Sequence, residues 1–200
     1  MPLPEELIRA GGATLAFDTN AILGFSPGTR RVVFGAFMKM CDDAHLLRTA
    51  ARPLWLSIVV PSLVHMEVLH DLRVARARGG QAFDAAHVKV ELKDKADILA
   101  FDEEAAIKAS GALHDWFPSD EAWQAAKRER CLEILGLPSS AAPGQGGLAS
   151  IDWAIAAQAD AAGWILVTGD MGAEFKSVSL KMTKAALRTL LDALLHERGV

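Results

Sequence analysis

An α/β fold, a doubly wound arrangement of about five mostly parallel strands with helices on both faces, is what this chain's pattern predicts. Three observations carry the α/β reading. Short apolar runs of strand length alternate with longer stretches at helical spacing. The runs lack polar alternation, as expected of strands covered on both faces. Acidic residues close two of these runs, at the edge where an open parallel sheet binds its ligands.

Taken in order, the first strand is Thr14 to Asp18, and a helical pattern follows from Arg31 to Thr49. The second strand, Leu54 to Val60, runs into a helix from Pro61 to Ala77, where Pro61 suits a first turn because its missing N–H has no helical partner there anyway. Gly79-Gly80 breaks that helix from the next, Ala82 to Lys95. A strand at Asp97 to Phe101 precedes helices at Glu103 to Leu113 and Asp120 to Leu135. Leu137 to Gly147, rich in Pro, Gly, Ser and Ala, reads as a mobile loop, either a plain connection or a lid. Ser150 is the expected N-cap of a helix running to Ala162. Strands at Trp164 to Thr168 and Ser177 to Leu180 and a helix at Lys184 to Arg198 complete the pattern.

The 200 residues are 51% hydrophobic and 23% charged, which fits one globular domain with a sizeable core. Two cysteines, Cys41 and Cys131, lie far apart with no further Cys or His at ligand spacing, so neither a disulfide framework nor a zinc cage is expected. Met1 to Glu6 lacks the basic-then-apolar order of a signal peptide, and the longest apolar run, Trp55 to Val64, is interrupted and too short to span a bilayer. A cytoplasmic protein with no membrane contact is the expectation. A net charge of −4 argues against indiscriminate coating of nucleic acid, yet leaves room for a basic rim around an acidic centre.

That centre is a set of four carboxylates. Asp18 and Asp170 follow apolar strands, and Glu67 and Asp152 each lie one turn into a helix with apolar surroundings. Clustered carboxylates in such a setting either take up protons or hold a hard cation, and oxygen-only sets favour Mg²⁺ or Mn²⁺ over zinc. An ion of that kind bound to phosphate supports phosphodiester hydrolysis. Asn20 offers an amide to orient the phosphate or a water, and Thr168 a hydroxyl to hold the Asp170 loop and to contact the nucleic acid. Each acid also has a structural explanation: Asp18 a turn cap, Glu67 a salt-bridged helix residue, Asp152 an acid favoured by the helix dipole, Asp170 a turn residue. All four together, in the order strand, helix, helix, strand, are poorly explained that way. Arg73, Arg76 and Arg78 on the Glu67 helix, with Lys89, Lys93 and Lys95 on the next, either track phosphates or form solvated faces. Trp116, Trp123 and Trp153 either stack bases or pack in the core.

Leu15 to Asn20 resembles the opening motif of PIN-domain nucleases, Val60 to Leu69 their glutamate helix, Ile151 to Ala159 their third-acid helix, and Leu166 to Asp170 with Phe175 their closing motif. Ala96 to Ala105 is similar to the third strand and following helix of VapC-type toxins. The resemblance runs from about Leu15 to Leu180 and its strength lies in the order of the motifs. It implies a small doubly wound sheet, Mg²⁺- or Mn²⁺-dependent cleavage of RNA, frequent homodimers and, for toxins, a cognate antitoxin. Two departures stand out. The connection at 114–147, with its extra helix and loop, is long for compact toxins, and Met171-Gly172-Ala173-Glu174 replaces a shorter step, so that Glu174 is either a fifth acid or a surface residue.

Other chemistries lack their residues. Asp18-Thr19-Asn20 has no second acid for a haloacid-dehalogenase phosphatase, and His65-Met66-Glu67 has neither the following cysteines of a zinc deaminase nor the spacing of a zincin. No phosphate-cradling glycine loop or nucleophile elbow is present. Two functions remain: a metal-dependent endoribonuclease, with the toxin role as its best-fitting setting, and a PIN-like RNA- or protein-binding module with weak or no cleavage.

Overall fold

A computed structural model of the chain describes residues 3–25, 32–33, 35–78, 95–116, 119–134, 151–169, 175 and 178–200. It divides into two compact units: residues 1–100 with 164–169 and 180–200, and residues 101–163 with 170–179.

The first unit is built on a five-stranded, wholly parallel sheet, β1 (Ala13–Phe17), β4 (Leu56–Pro61), β5 (Asp97–Leu99), β6 (Ile165–Val167) and β7 (Lys181–Met182), in the order β5-β4-β1-β6-β7. Leu15, Ala16, Phe17 and all three residues of β6 are buried, which is why these segments read as unbroken apolar runs. From β1 the chain steps to β4 and then to the β5 edge, and it later returns to β6 on the other side of β1. The direction of winding therefore reverses between β1 and β6, and a parallel sheet opens a crevice at the carboxyl ends of such a strand pair. The register Phe17↔Val167 brings Asp18 and Thr168 level there, with Asp18 N–H donating to Val167 O at 3.1 Å.

Helices flank this sheet. In α3 (Gly35–Thr49), Phe37, Met40, Ala44 and Leu47 are buried, and the Phe37 ring meets Phe17 edge-on at 5.0 Å. In α8 (Lys184–Arg198), Leu187, Leu190, Leu191 and Leu194 form a buried stripe at helical spacing that packs on α3, each leucine contributing roughly 1.5–3 kcal/mol of burial. Thr183 caps the start of α8 through Ala186 N–H, and Gly199 ends it in the left-handed conformation at φ 67°. The bounds of α8 are those the periodicity predicts.

Other boundaries move. Pro61 closes β4 rather than opening α4 (Ser62–Arg78); pairing with β1 ends at Val59, so the N–H that proline lacks has no ladder partner on that side. The last strand is Lys181–Met182 rather than Ser177 to Leu180, and α3 begins at Gly35 because Val32–Val33 (β3) pairs antiparallel with Gly24–Phe25 (β2). A first helix, α1 (Pro4–Ala10), was not expected; Leu3 N–H donates to Glu6 Oε2 at its start, and its Ile8 is buried. The expected helix at 82–95 falls, apart from Lys95, outside the described residues, as does the loop at 137–147.

In the second unit, α5 (Glu103–Trp116) packs on α7 (Ile151–Ala161), and α6 (Asp120–Ile134) brings Trp123 edge-on to Trp153 at 6.1 Å. Ala154 to Ala159 are buried without interruption, so the middle of α7 is enclosed all round while Asp160 and Ala161 at its end are exposed. Asp160 Oδ1 accepts Ser179 N–H at 2.9 Å.

Candidate active site at the carboxyl edge of the sheet

Asp18 leaves β1 as the N-cap of a one-turn helix, α2 (Thr19–Ile22), and is only 3% exposed. Both its oxygens are engaged: Oδ1 accepts Thr19 N–H at 2.7 Å, and Oδ2 accepts the Thr168 hydroxyl at 2.9 Å. The cap explains why a carboxylate tolerates this burial, since charge-assisted hydrogen bonds offset part of its lost hydration. Asp18 is therefore the turn cap that the structural explanation of this acid anticipates.

Glu67 reaches the same place from α4. The Thr19 hydroxyl donates to Glu67 Oε2 at 2.5 Å, so a single residue bridges the Asp18 and Glu67 carboxylates. Asn20 ties the far side: its Oδ1 accepts Gly169 N–H at 2.8 Å, and its Nδ2 lies 3.5 Å from the Thr168 hydroxyl. A Cβ on Gly169 would stand 3.5 Å from Asn20 Oδ1, so backbone and amide are close but not crowded. Asn20 thus holds the chain leaving β6, the task the sequence suggested for Thr168, while the buried Thr168 hydroxyl is given to Asp18.

The remaining expected residues divide by what the structure describes. Asp152 is half-buried in the first turn of α7, in the second unit. Asp170 and Glu174 fall outside the described residues. Arg73 is exposed on α4; Arg76 and Arg78 lie on that helix with side chains outside the described set. Lys95 is paired with Asp42 at 2.5 Å. Trp123 and Trp153 pack on each other, and Lys127 lies over the Trp123 ring at 5.0 Å.

Among the described residues no group of three or more His, Cys, Asp or Glu side chains is arranged to hold a metal ion. What is present is two carboxylates joined through one threonine, with a second hydroxyl and an amide beside them. Thr19 was missed as a contributor. Its position between Asp18 and Asn20 was visible, but a hydroxyl reaching across 48 residues to Glu67 leaves no trace in local pattern.

No family model matches the chain, and no curated protein does. Several solved structures are similar to it, among them two of VapBC proteins. VapBC2 from Rickettsia felis, bound to a DNA fragment from their promoter, shares 15% identity over 85% of this chain and 98% of that chain, with a TM-score of 0.41. DNA-bound VapBC from Salmonella typhimurium shares 17% identity over 86% of this chain and 99% of that chain, with a TM-score of 0.42.

Proposed function

We propose that the chain is a PIN-like, Mg²⁺- or Mn²⁺-dependent endoribonuclease, and that Asp18 and Glu67 are the core of its metal centre. The observation that carries this reading is the Asp18–Thr19–Glu67 bridge at the switch point of a parallel sheet. Asp18 is buried and Glu67 half-buried, and carboxylates sharing such a setting repel unless a cation or shared donors intervene; two hydrogen bonds from one threonine leave the negative charge in place. A bound Mg²⁺ or Mn²⁺ would polarise the phosphate and lower the pKa of an attacking water. Asp18 and Glu67 are the residues to hold it; the motifs of the sequence add Asp152, Asp170 and Glu174 as further candidate acids. Thr168 fixes the Asp18 carboxylate, and Asn20 holds the β6 exit so that the chain leading to Asp170 departs from a set point. Arg73, Arg76 and Arg78 are proposed to meet RNA phosphates. The toxin role, with an antitoxin partner and a homodimer, rests on the order of the motifs in the sequence.

The direct test is cleavage of a mixture of structured RNAs with Mg²⁺, Mn²⁺ or EDTA. Fragments that appear with either ion and vanish with EDTA support the enzyme. Binding without cleavage under all three conditions would leave the RNA- or protein-binding module.

A further inference from the structure

We propose that Thr19 is the positioning residue that sets the spacing of Asp18 and Glu67 and thereby the affinity of the centre for its cation. The inference rests on the metal-centre reading above and adds to it a residue that carries no charge. Thr19 is the first residue of α2, so its backbone N–H is one of the donors a helix start leaves unsatisfied, and it is given to Asp18 Oδ1 at 2.7 Å. Its hydroxyl is given to Glu67 Oε2 at 2.5 Å. Both donors belong to one β-branched residue with few χ1 choices, so the direction offered to Glu67 is nearly fixed relative to that offered to Asp18. Glutamate loses considerable rotamer freedom when it is held, and the threonine holds it before any ion arrives. Partners of this kind orient metal ligands and are felt in metal affinity. The same contact ties α4 to α2, so the strand-end acid and the helix acid meet although 48 residues separate Thr19 from Glu67.

The test compares Thr19→Val, which keeps shape and backbone N–H but removes the hydroxyl, with Thr19→Ser, which keeps the donor. Mn²⁺ binding by titration calorimetry on the full chain should weaken roughly 10–100-fold in Thr19→Val and stay close to wild type in Thr19→Ser. Wild-type affinity in Thr19→Val, or equal loss in both variants, would overturn the proposal. A metal-free readout separates it from the metal-centre reading: melting temperatures of Thr19→Val, Glu67→Met and the double variant. If Thr19 holds Glu67, the double variant melts no lower than the worse single variant. Additive losses would refute the coupling. A wild-type chain that takes up no Mn²⁺ overturns the metal centre, and the melting cycle alone then decides whether Thr19 holds Glu67.

Discussion

Thr168 shows how much of the site depends on single hydroxyls. Its donation to the buried Asp18 Oδ2 at 2.9 Å is a hydrogen bond to a charged group, worth about 1.5–3 kcal/mol. Thr168→Val should cost about that much in urea unfolding, because Asp18 keeps its burial and loses a donor, while Thr168→Ser should recover most of it. A Thr168→Val protein as stable as wild type would mean that the hydroxyl contributes nothing. Cys41 gives a second residue-scale expectation. Burial, with a smaller contribution from Asp42, pushes its thiol up to about 12, so the thiolate is scarce at neutral pH. Iodoacetamide should therefore modify Cys41 only in denaturant, as read by peptide mass spectrometry; rapid native labelling would contradict the burial. At this scale the sequence was informative about residue types and poor about partners. Asp18 and Glu67 stood out because acids on apolar runs are unusual, whereas Thr19 and Thr168 are ordinary until long-range contacts define them.

Among elements, the α3–α8 pair is tied by Lys39, whose ammonium contacts Asp43 at 2.6 Å and Asp192 at 3.3 Å. The hydrogen bond that Lys39 donates to Asp43 raises the Lys39 pKa against desolvation, with Asp192 adding to it. A raised lysine stabilises the fold fully below its unfolded value and loses that contribution only as pH climbs through the folded value, so the pair is intact at neutral pH. Lys39 is half exposed, which screens the pair, and Asp43→Asn should cost only about 1 kcal/mol at pH 7. Leu191→Ala, in the buried stripe of the same helix, should cost about 2–5 kcal/mol by chemical denaturation. If the polar substitution proved the more damaging, the apolar stripe would not be what joins α3 and α8. Long elements were readable because α8 repeats its leucines over several turns. The two-residue strands β2 and β3 were not, since a pair that short carries no period, and β7 moved for the same reason.

For the whole molecule, the apolar runs and their alternation with helices were enough to anticipate a five-stranded parallel sheet, while its strand order came only from the structure. That order puts the Asp18 turn, the Thr168 turn and the start of α8 along one edge. Lys184 stands at that start, its Nζ 3.4 Å from Leu23 O, and desolvation with help from Arg188 lowers its pKa. A lysine whose folded value lies below the unfolded 10.5 costs stability wherever it is charged in both states, and the cost fades as pH rises through the folded value. Lys184→Met should therefore raise the melting temperature at pH 7, with the gain shrinking toward pH 10.5. A gain that grew with pH would reverse the sign.

The measurement that bears most directly on a metal-dependent nuclease centre is the Asp18→Asn variant, assayed for RNA cleavage with Mn²⁺ and melted with and without the ion. Asparagine can still accept Thr19 N–H through its oxygen, and the Thr168 hydroxyl can turn to accept from its nitrogen, so the variant should fold. Without metal it should melt at or above wild type, because one of two neighbouring charges is gone. Wild type should gain stability on Mn²⁺ addition by mass action and cut RNA, whereas Asp18→Asn should gain much less and cut none. Equal Mn²⁺-induced shifts in the two proteins, or undiminished cleavage by the variant, would remove Asp18 from the centre and contradict the proposed chemistry.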